Sequence, residues 1–286
     1  MLVNGKELIK HARENGYGIG AFNVNDYVGA EIAMRAGEEL NTPIMIQVGD
    51  FADPNAQESR RMSTYAVKNL MRFIRERAAA SHIPVILHLD HCPTFEGCMR
   101  AIQNGCTSIM IDASMKSFED NVAMTNKVIE AARPCDVTVE AEIGHVSGHA
   151  NSTGVQYTTV ESAKAFYEAT GVDMLAVSIG TVHGVYTEEP QLQYDLIKEL
   201  RDAIPSPLVM HGSSGLVAEQ YIKAVKNGIV KINFATYLQT MAGTAVKEAA
   251  LATDDPRLSP LVSAGMKRGV EYLKEHIGYF GTPSIK

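Results

Sequence analysis

The stretch Pro84-Val85-Ile86-Leu87-His88-Leu89-Asp90-His91 begins as an apolar run of strand length and ends with three ionisable side chains in four residues. A strand covered on both faces reads as a short run rich in Val, Ile and Leu rather than as an alternation. Such a run gains no stability by ending in His-x-Asp-His. One carboxylate beside two imidazoles is suited to holding a metal and moving a proton. The competing reading is a satisfied core histidine with Asp90 as a helix cap.

Seven more short apolar runs accompany this one. They are Tyr17–Asn23, Pro43–Val48, Ser108–Asp112, Asp136–Glu142, Met174–Ser178, Pro207–His211 and Ile229–Asn233. Between them lie segments with helical length and helical punctuation. Asp26 is placed to cap a helix covering Glu31 to Leu40, Gly105 to end Thr94–Asn104, Gly171 to end Val160–Thr170 and Gly228 to end Val217–Asn227. Further helices are expected over Asn4–Asn15, Glu58–Ala80, Ser117–Arg133, Leu192–Ala203, Ala235–Leu251 and Leu261–Ile277, and the Gly-, Ser- and His-rich stretch His145–Tyr157 reads as a loop. Eight strands alternating with helices, without a composition break or linker, favour a closed (β/α)8 TIM barrel over an open sheet. Residues 1–286 are expected to form a single domain with a C-terminal helical extension.

The composition is that of an ordinary globular chain, 45% apolar and 21% charged, with a formal charge of -7 and no basic run. Nucleic acid and anionic membrane are therefore not expected as partners. No window approaches a membrane span and no leader pattern opens the chain, so a cytoplasmic setting is expected. Cys92, Cys98, Cys106 and Cys135 have no C-x-x-C spacing and read as free thiols. Cys92 follows His91 and could be a soft ligand, although a packed thiol is the stronger reading.

Polar residues collect where the apolar runs stop: Asn23, Asp90-His91, Asp112, Glu142, His211 and Asn233, with His183 just after the sixth run. In a barrel those strand ends share one rim, the face where active sites are found. Asp and Asn also cap helices, but histidine does not favour that role. Three histidines leaving an open fourth position form a catalytic zinc pattern, and we take His91, His183 and His211 as its ligands. Glu142 and Asp112 are candidates for supporting those ligands or for an alternative metal position. Asp90 beside the metal is the candidate proton carrier. Gly212-Ser-Ser-Gly215 and Asn233-Phe-Ala-Thr236 follow the last two strands, where glycine and a helix N-terminus can hold phosphate.

At these residues the chain resembles the class II, metal-dependent ketose-bisphosphate aldolases, the family that includes fructose- and tagatose-bisphosphate aldolases. The resemblance runs nearly end to end, through Ala21-Phe-Asn-Val24, Leu87-His-Leu-Asp-His91, Ser108-Ile-Met-Ile-Asp-Ala-Ser114 and Glu140-Ala-Glu-Ile-Gly144. It continues through Gly180-Thr-Val-His-Gly184, His211-Gly-Ser-Ser-Gly215, Lys231-Ile-Asn233 and Asp255-Pro-Arg257. It implies one Zn2+ on His91, His183 and His211, with Glu142 and Asp112 matching acidic positions for a displaced metal. Asp90 would take the C4 hydroxyl proton as the C3–C4 bond of a phosphorylated ketose breaks, leaving dihydroxyacetone phosphate and an aldehyde. Gly184, Gly212 and Ser214 match a phosphate loop that also holds a monovalent cation, Na+ or K+. Asn23, Asn233 and Thr236 match substrate-contacting positions. Arg257 matches an arginine that reaches the distal phosphate from a neighbouring subunit, which implies a homodimer or homotetramer.

Two positions depart from that resemblance. The loop His145–Tyr157 contains no carboxylate, leaving His145 or His149 as possible substitutes for an acid tied to proton transfer, and Gly49 stands after the second strand where a hydroxyl residue is usual. A related ketose phosphate with a different tail is therefore an alternative substrate. A metal-dependent hydrolase on the same barrel, and a weakly catalytic binding protein, are the rivals from other classes.

Overall fold

The computed structural model describes residues 1–49, 64–144, 157–184, 186 and 188–285. Eight parallel strands close into one barrel in chain order: β1 (Ile19–Asn23), β2 (Ile44–Val48), β3 (Val85–Cys92), β4 (Ser108–Ile111), β5 (Thr138–Ile143), β6 (Met174–Val177), β7 (Leu208–Met210) and β8 (Ile229–Phe234). Pairing of Ile19 with Lys231 and Ala21 with Asn233 joins β8 to β1, which leaves no sheet edge unpaired. Around the barrel run α2 (Tyr27–Leu40), α3 (Thr64–Ala79), α4 (Phe95–Gln103), α5 (Phe118–Ala132), α6 (Val160–Thr170), α7 (Tyr194–Ala203) and α8 (Ala218–Asn227). The chain ends in α9 (Thr236–Leu251) and α10 (Leu258–Phe280), and α1 (Lys6–Asn15) precedes β1.

Strand alternation divides the apolar residues into two cores. Phe22, Ile44, Ile46, Leu87, Leu89, Ile109 and Ile232 face outward and pack beneath the helices. Ile19, Ala21, Met45, Ile86, Met110, Met174, Ala176 and Val209 form the barrel interior, which Ile9 and Ala12 of α1 join. Two residues further along several of these inward rows the side chains turn polar: Asn23 after Ala21, Gln47 after Met45, His88 after Ile86 with Asp90 two beyond it, Asp112 after Met110 and His211 after Val209. The period of two thus carries one row from an apolar floor to a polar rim.

The expected elements are present with shifts of a few residues at their ends, as local punctuation decides. Asp26 and Thr94 cap α2 and α4 by accepting from the Gly29 and Gly97 backbone N–H groups. Gly105 lies one residue beyond the C-cap Asn104, rather than at it. α7 begins at Tyr194 and α10 at Leu258, later and earlier than their apolar patterns suggested. The expected start of the third helix at Glu58 and most of the loop His145–Tyr157, with His145 and His149, lie outside the described residues. Among the described residues no helix is long and apolar enough to cross a membrane.

One ion-pair cluster ties α2 to α3 and makes a pH prediction. Arg77 donates to both Glu38 carboxylate oxygens at 2.8 and 2.6 Å and to Glu31 Oε2 at 3.0 Å, and Ser81 Oγ donates to Glu38 Oε1 at 2.6 Å. The Arg77 hydrogen bonds hold the Glu38 carboxyl below its usual range, against the opposing effect of burial. A depressed folded-state pKa stabilises above the unfolded value and is lost as pH falls through the folded one. Arg77→Met should cost about 1–2 kcal/mol at pH 7. The cost should shrink once Glu38 is protonated, well below pH 4.5, the ordinary value. Urea unfolding of both proteins at pH 7 and pH 3 checks this, and an undiminished cost at pH 3 would refute it.

Candidate active site

The polar rim is built around an irregularity in β3. Leu89 pairs with Ile109 and Cys92 with Ile111, so three steps on β3 oppose two on β4. His91, the extra residue, sits at φ 48, a left-handed conformation uncommon for a side chain of its size. Regular alternation would send Asp90 and His91 to opposite faces. The bulge turns both toward the rim. β3 therefore runs on to Cys92 instead of stopping at Asp90, and Cys92 itself is buried in the outer core with its thiol donating to the Thr94 carbonyl. The packed-thiol reading holds, and the clusters of ligand-type atoms do not include Cys92.

His91, His183 and His211 converge so that one nitrogen of each lies within 4.8 Å of the others, and His91, Asp112 and Glu142 form a second, overlapping group at the same spacing. The ring centroids are 4.5 Å apart for His91 and His211, 5.0 Å for His91 and His183 and 5.9 Å for His183 and His211. Each of the two innermost rings has its other nitrogen committed. His91 Nδ1 lies 2.8 Å from Asp112 Oδ2, and His211 Nε2 lies 2.8 Å from Glu140 Oε1. Ionised carboxylates only accept, so these nitrogens donate. That leaves His91 Nε2 and His211 Nδ1 facing each other at 2.7 Å.

Electrostatics explain who holds the proton between them. Burial disfavours charge on His91, but Asp90, Asp112 and Glu142 outweigh it and raise the imidazole to about 9. Burial, then the His91 and Lys231 charges, push His211 well below the ordinary value. A charged His91 therefore donates to a neutral His211. A divalent cation held by these nitrogens would take the place of that proton. The donor set fits such a cation: three imidazole nitrogens converge, carboxylates orient His91 and His211 from behind, and Asp90, Asp112, Glu140 and Glu142 set four carboxyl groups against one buried lysine among the described residues, Lys231.

Asp90 is clamped from both sides. Asn23 Nδ2 donates to its Oδ2 at 2.6 Å and Asn233 Nδ2 to its Oδ1 at 3.1 Å, while Gln47 Nε2 fixes Asn23 through its Oδ1 at 2.8 Å. Burial would raise the Asp90 carboxyl, but the facing His91 and Lys231 charges, the neighbouring His211 ring and the Asn23 hydrogen bond hold it down at about 2. It is an ionised, oriented carboxylate beside the histidine cluster.

The loops after β7 and β8 lie against each other. Ser214 Oγ accepts from the Ala235 N–H at 2.9 Å, one residue before Thr236 opens α9, and Ser213 Oγ donates to the Asn233 carbonyl. Gly212 has φ 64, and a Cβ there would lie 2.5 Å from the Val182 backbone, so the loops after β6 and β7 can meet only at glycine. Tyr186 braces the same place, donating to the Gly212 carbonyl at 2.7 Å. Gly184, with φ 97, is next to His183. Arg257 is not part of this assembly within one chain: it is exposed before α10 and paired with Asp255 at 2.7 Å.

Glu140, Lys231 and Gln47 were not singled out from the sequence. All three are fully buried inside the barrel, with Lys231 Nζ 2.8 Å from Glu140 Oε2. The available signal was a charged or amide side chain within a strand covered on both faces, which has to find a partner across the interior.

This arrangement matches known proteins along its length. Residues 3–283 match the family model described as fructose-bisphosphate aldolase class-II. A fructose-bisphosphate aldolase of Staphylococcus epidermidis is 37% identical over 98% of each chain. A sulfofructosephosphate aldolase of Alkalicoccus urumqiensis is 35% identical, covering 98% of this chain and 96% of its own. Among solved structures, the YdjI aldolase from Escherichia coli K12 superposes with a TM-score of 0.86 at 33% identity, covering 99% of this chain and 98% of that one. The chain belongs to the class-II fructose-bisphosphate aldolase family, and is an enzyme of the aldolase type of lyase.

Proposed function

We propose that this lyase is a zinc-dependent aldolase that reversibly cleaves the C3–C4 bond of a ketose 1,6-bisphosphate, tagatose or fructose, to dihydroxyacetone phosphate and an aldehyde. The observation carrying this reading is the bulge that sets the clamped Asp90 carboxylate next to the three-histidine cluster. When bound by His91, His183 and His211, zinc supplies electrophilic polarisation of the substrate oxygens. Asp90 receives the C4 hydroxyl proton. Asn23 and Asn233 hold its two oxygens at the donor positions described above, so the carboxylate meets the hydroxyl without reorienting. Asn23, Asn233 and Thr236 contact the substrate in this reading. Gly184, Gly212 and Ser214 seat the phosphate nearer the cleaved bond, with a monovalent cation, and Asp112 and Glu142 offer the metal an alternative position.

The remaining parts of the proposal are a homodimer or homotetramer in the cytoplasm, in which Arg257 of one subunit reaches the distal phosphate of the next. Its exposure supports that role, with Asp255 as its ion-pair partner among the described residues. A second substrate reading, a ketose phosphate with a different tail, is favoured by Gly49, where a hydroxyl residue is usual: among the described residues no atom beyond its chain neighbours lies within 4 Å of where its Cβ would stand. The near-equal identity to the sulfofructosephosphate aldolase supports it as well.

Release of dihydroxyacetone phosphate from fructose and tagatose 1,6-bisphosphates, with and without chelator, tests the reaction. Chelator-sensitive release from either substrate is the expected result. Chelator-resistant release would refute the metal requirement, and no release from either would move the search to other tails. His211→Ala should purify with less than a tenth of the parent's zinc by elemental analysis, since it removes a buried nitrogen donor. Equimolar zinc in that variant would remove His211 from the ligand set.

A further inference from the structure

Beneath the three-histidine cluster lies a charged group that the cleavage chemistry does not use. Glu140 and Lys231 are fully buried in the barrel interior, 2.8 Å apart, and belong to β5 and β8, which are not neighbours in the sheet. Glu140 also holds His211 through Oε1, and His88 Nε2 stands 3.6 Å from its Oε2. His88 is turned by Ser108, whose Oγ lies 2.8 Å from its Nδ1. Replacing a buried ion pair by apolar residues is often neutral or stabilising, so this pair is a poor device for stability alone. Its two carboxylate oxygens have distinct tasks. One faces Lys231 and the other faces the ring nitrogen of His211 that points away from His91 and His183.

We propose that Glu140, oriented and charge-balanced by Lys231, is a positioning residue that fixes His211 in the Nε2–H tautomer and so presents the Nδ1 lone pair to the metal. The inference rests on reading the histidine cluster as a metal site. A neutral imidazole has one donor and one acceptor nitrogen, and the partner of one nitrogen decides the other. Without an acceptor at Nε2 the proton is free to sit on Nδ1, and that tautomer cannot bind a metal through the nitrogen facing His91. Carboxylate partners of this kind are worth about 10–100-fold in metal affinity.

Two variants separate positioning from structure. In Glu140→Met/Lys231→Met the ion pair is exchanged for apolar groups of similar size, so folding is retained while the acceptor is lost. In Glu140→Gln the shape is kept, but a single amide oxygen has to choose between His211 and Lys231, and the amide N–H group confronts whichever is left. Zinc affinity is measured by chelator competition on the full chain. The His211 tautomer is read from long-range 1H–15N spectra of metal-free, 15N-histidine-labelled samples in which every form, the parent included, also carries His91→Ala, so that no His91 N–H reaches His211 Nδ1. The expected results are a zinc affinity at least tenfold weaker in each folded variant and a mixed His211 tautomer, against a pure Nε2–H form in the parent. A loss smaller than tenfold, or a His211 that stays wholly in the Nε2–H form, overturns the proposal. If the double variant fails to fold, Glu140→Gln decides alone. A parent that binds no zinc refutes the metal reading and this inference together. A tightly binding parent with unchanged variants refutes this inference only.

Discussion

Asp90→Ala is expected to bind zinc like the parent and to turn over ketose bisphosphate at least about a hundredfold more slowly, the usual scale for a lost general acid or base. The variant removes the carboxylate without touching a metal-facing nitrogen, and the ties of His91 to Asp112 and of His211 to Glu140 remain. The loss should appear in kcat more than in KM, because the proton is taken only as the carbon–carbon bond breaks. Asp90→Asn should be nearly as slow, since an amide oxygen still meets Asn23 or Asn233 but cannot accept a proton. The carboxyl of the free protein is held at about 2. It is therefore ionised from pH 5 upward, and an acid limb in kcat/KM between pH 5 and 8 would belong to another group. Turnover within tenfold of the parent in Asp90→Ala, with zinc bound, would assign the proton to a different carrier.

The eight-strand barrel could be read from the chain because each strand is covered on both faces and so announces itself as a short apolar run between helix punctuation. The rim could be read for a related reason: the polar residue at each strand's end has nowhere apolar to go. Two features were hidden from that reasoning. The bulge in β3 depends on His91 adopting φ 48, and nothing in Leu-Asp-His-Cys requires a left-handed residue there as a glycine would. Adjacent residues in a regular strand face opposite ways, so the neighbourhood of Asp90 and His91 in sequence did not by itself place both at one site. The Glu140–Lys231 pair joins residues 91 positions apart through the barrel interior, and sequence spacing carries no record of a cross-barrel contact. Alternation offered a partial clue. Glu140 lies two residues before Glu142 and Lys231 two before Asn233, each pair on one face of its strand.

Lys231→Met alone should be the most destabilising change on the inward face of the barrel, costing about 3–5 kcal/mol. The lysine's removal leaves the Glu140 carboxylate fully buried with His211 Nε2–H as its remaining close donor among the described residues. Taking a carboxylate out of water costs several kcal/mol, and one neutral hydrogen bond offsets only about 1 kcal/mol of that. The apolar stem of methionine fills the space of the lysine methylenes, so a cavity is not the source of the loss. The double variant Glu140→Met/Lys231→Met removes the stranded charge as well and should recover most of the stability, whereas additive effects of two independent core changes would leave it the weaker protein. Denaturant unfolding of the parent, both single variants and the double variant at pH 7 measures this coupling. A Lys231→Met loss below about 1 kcal/mol, within the range of a conservative core substitution, would show that Glu140 finds another partner in the folded barrel. A double variant no more stable than Lys231→Met would show that the ion pair is structural after all, because burial of the charge would then not be what the single variant suffers from.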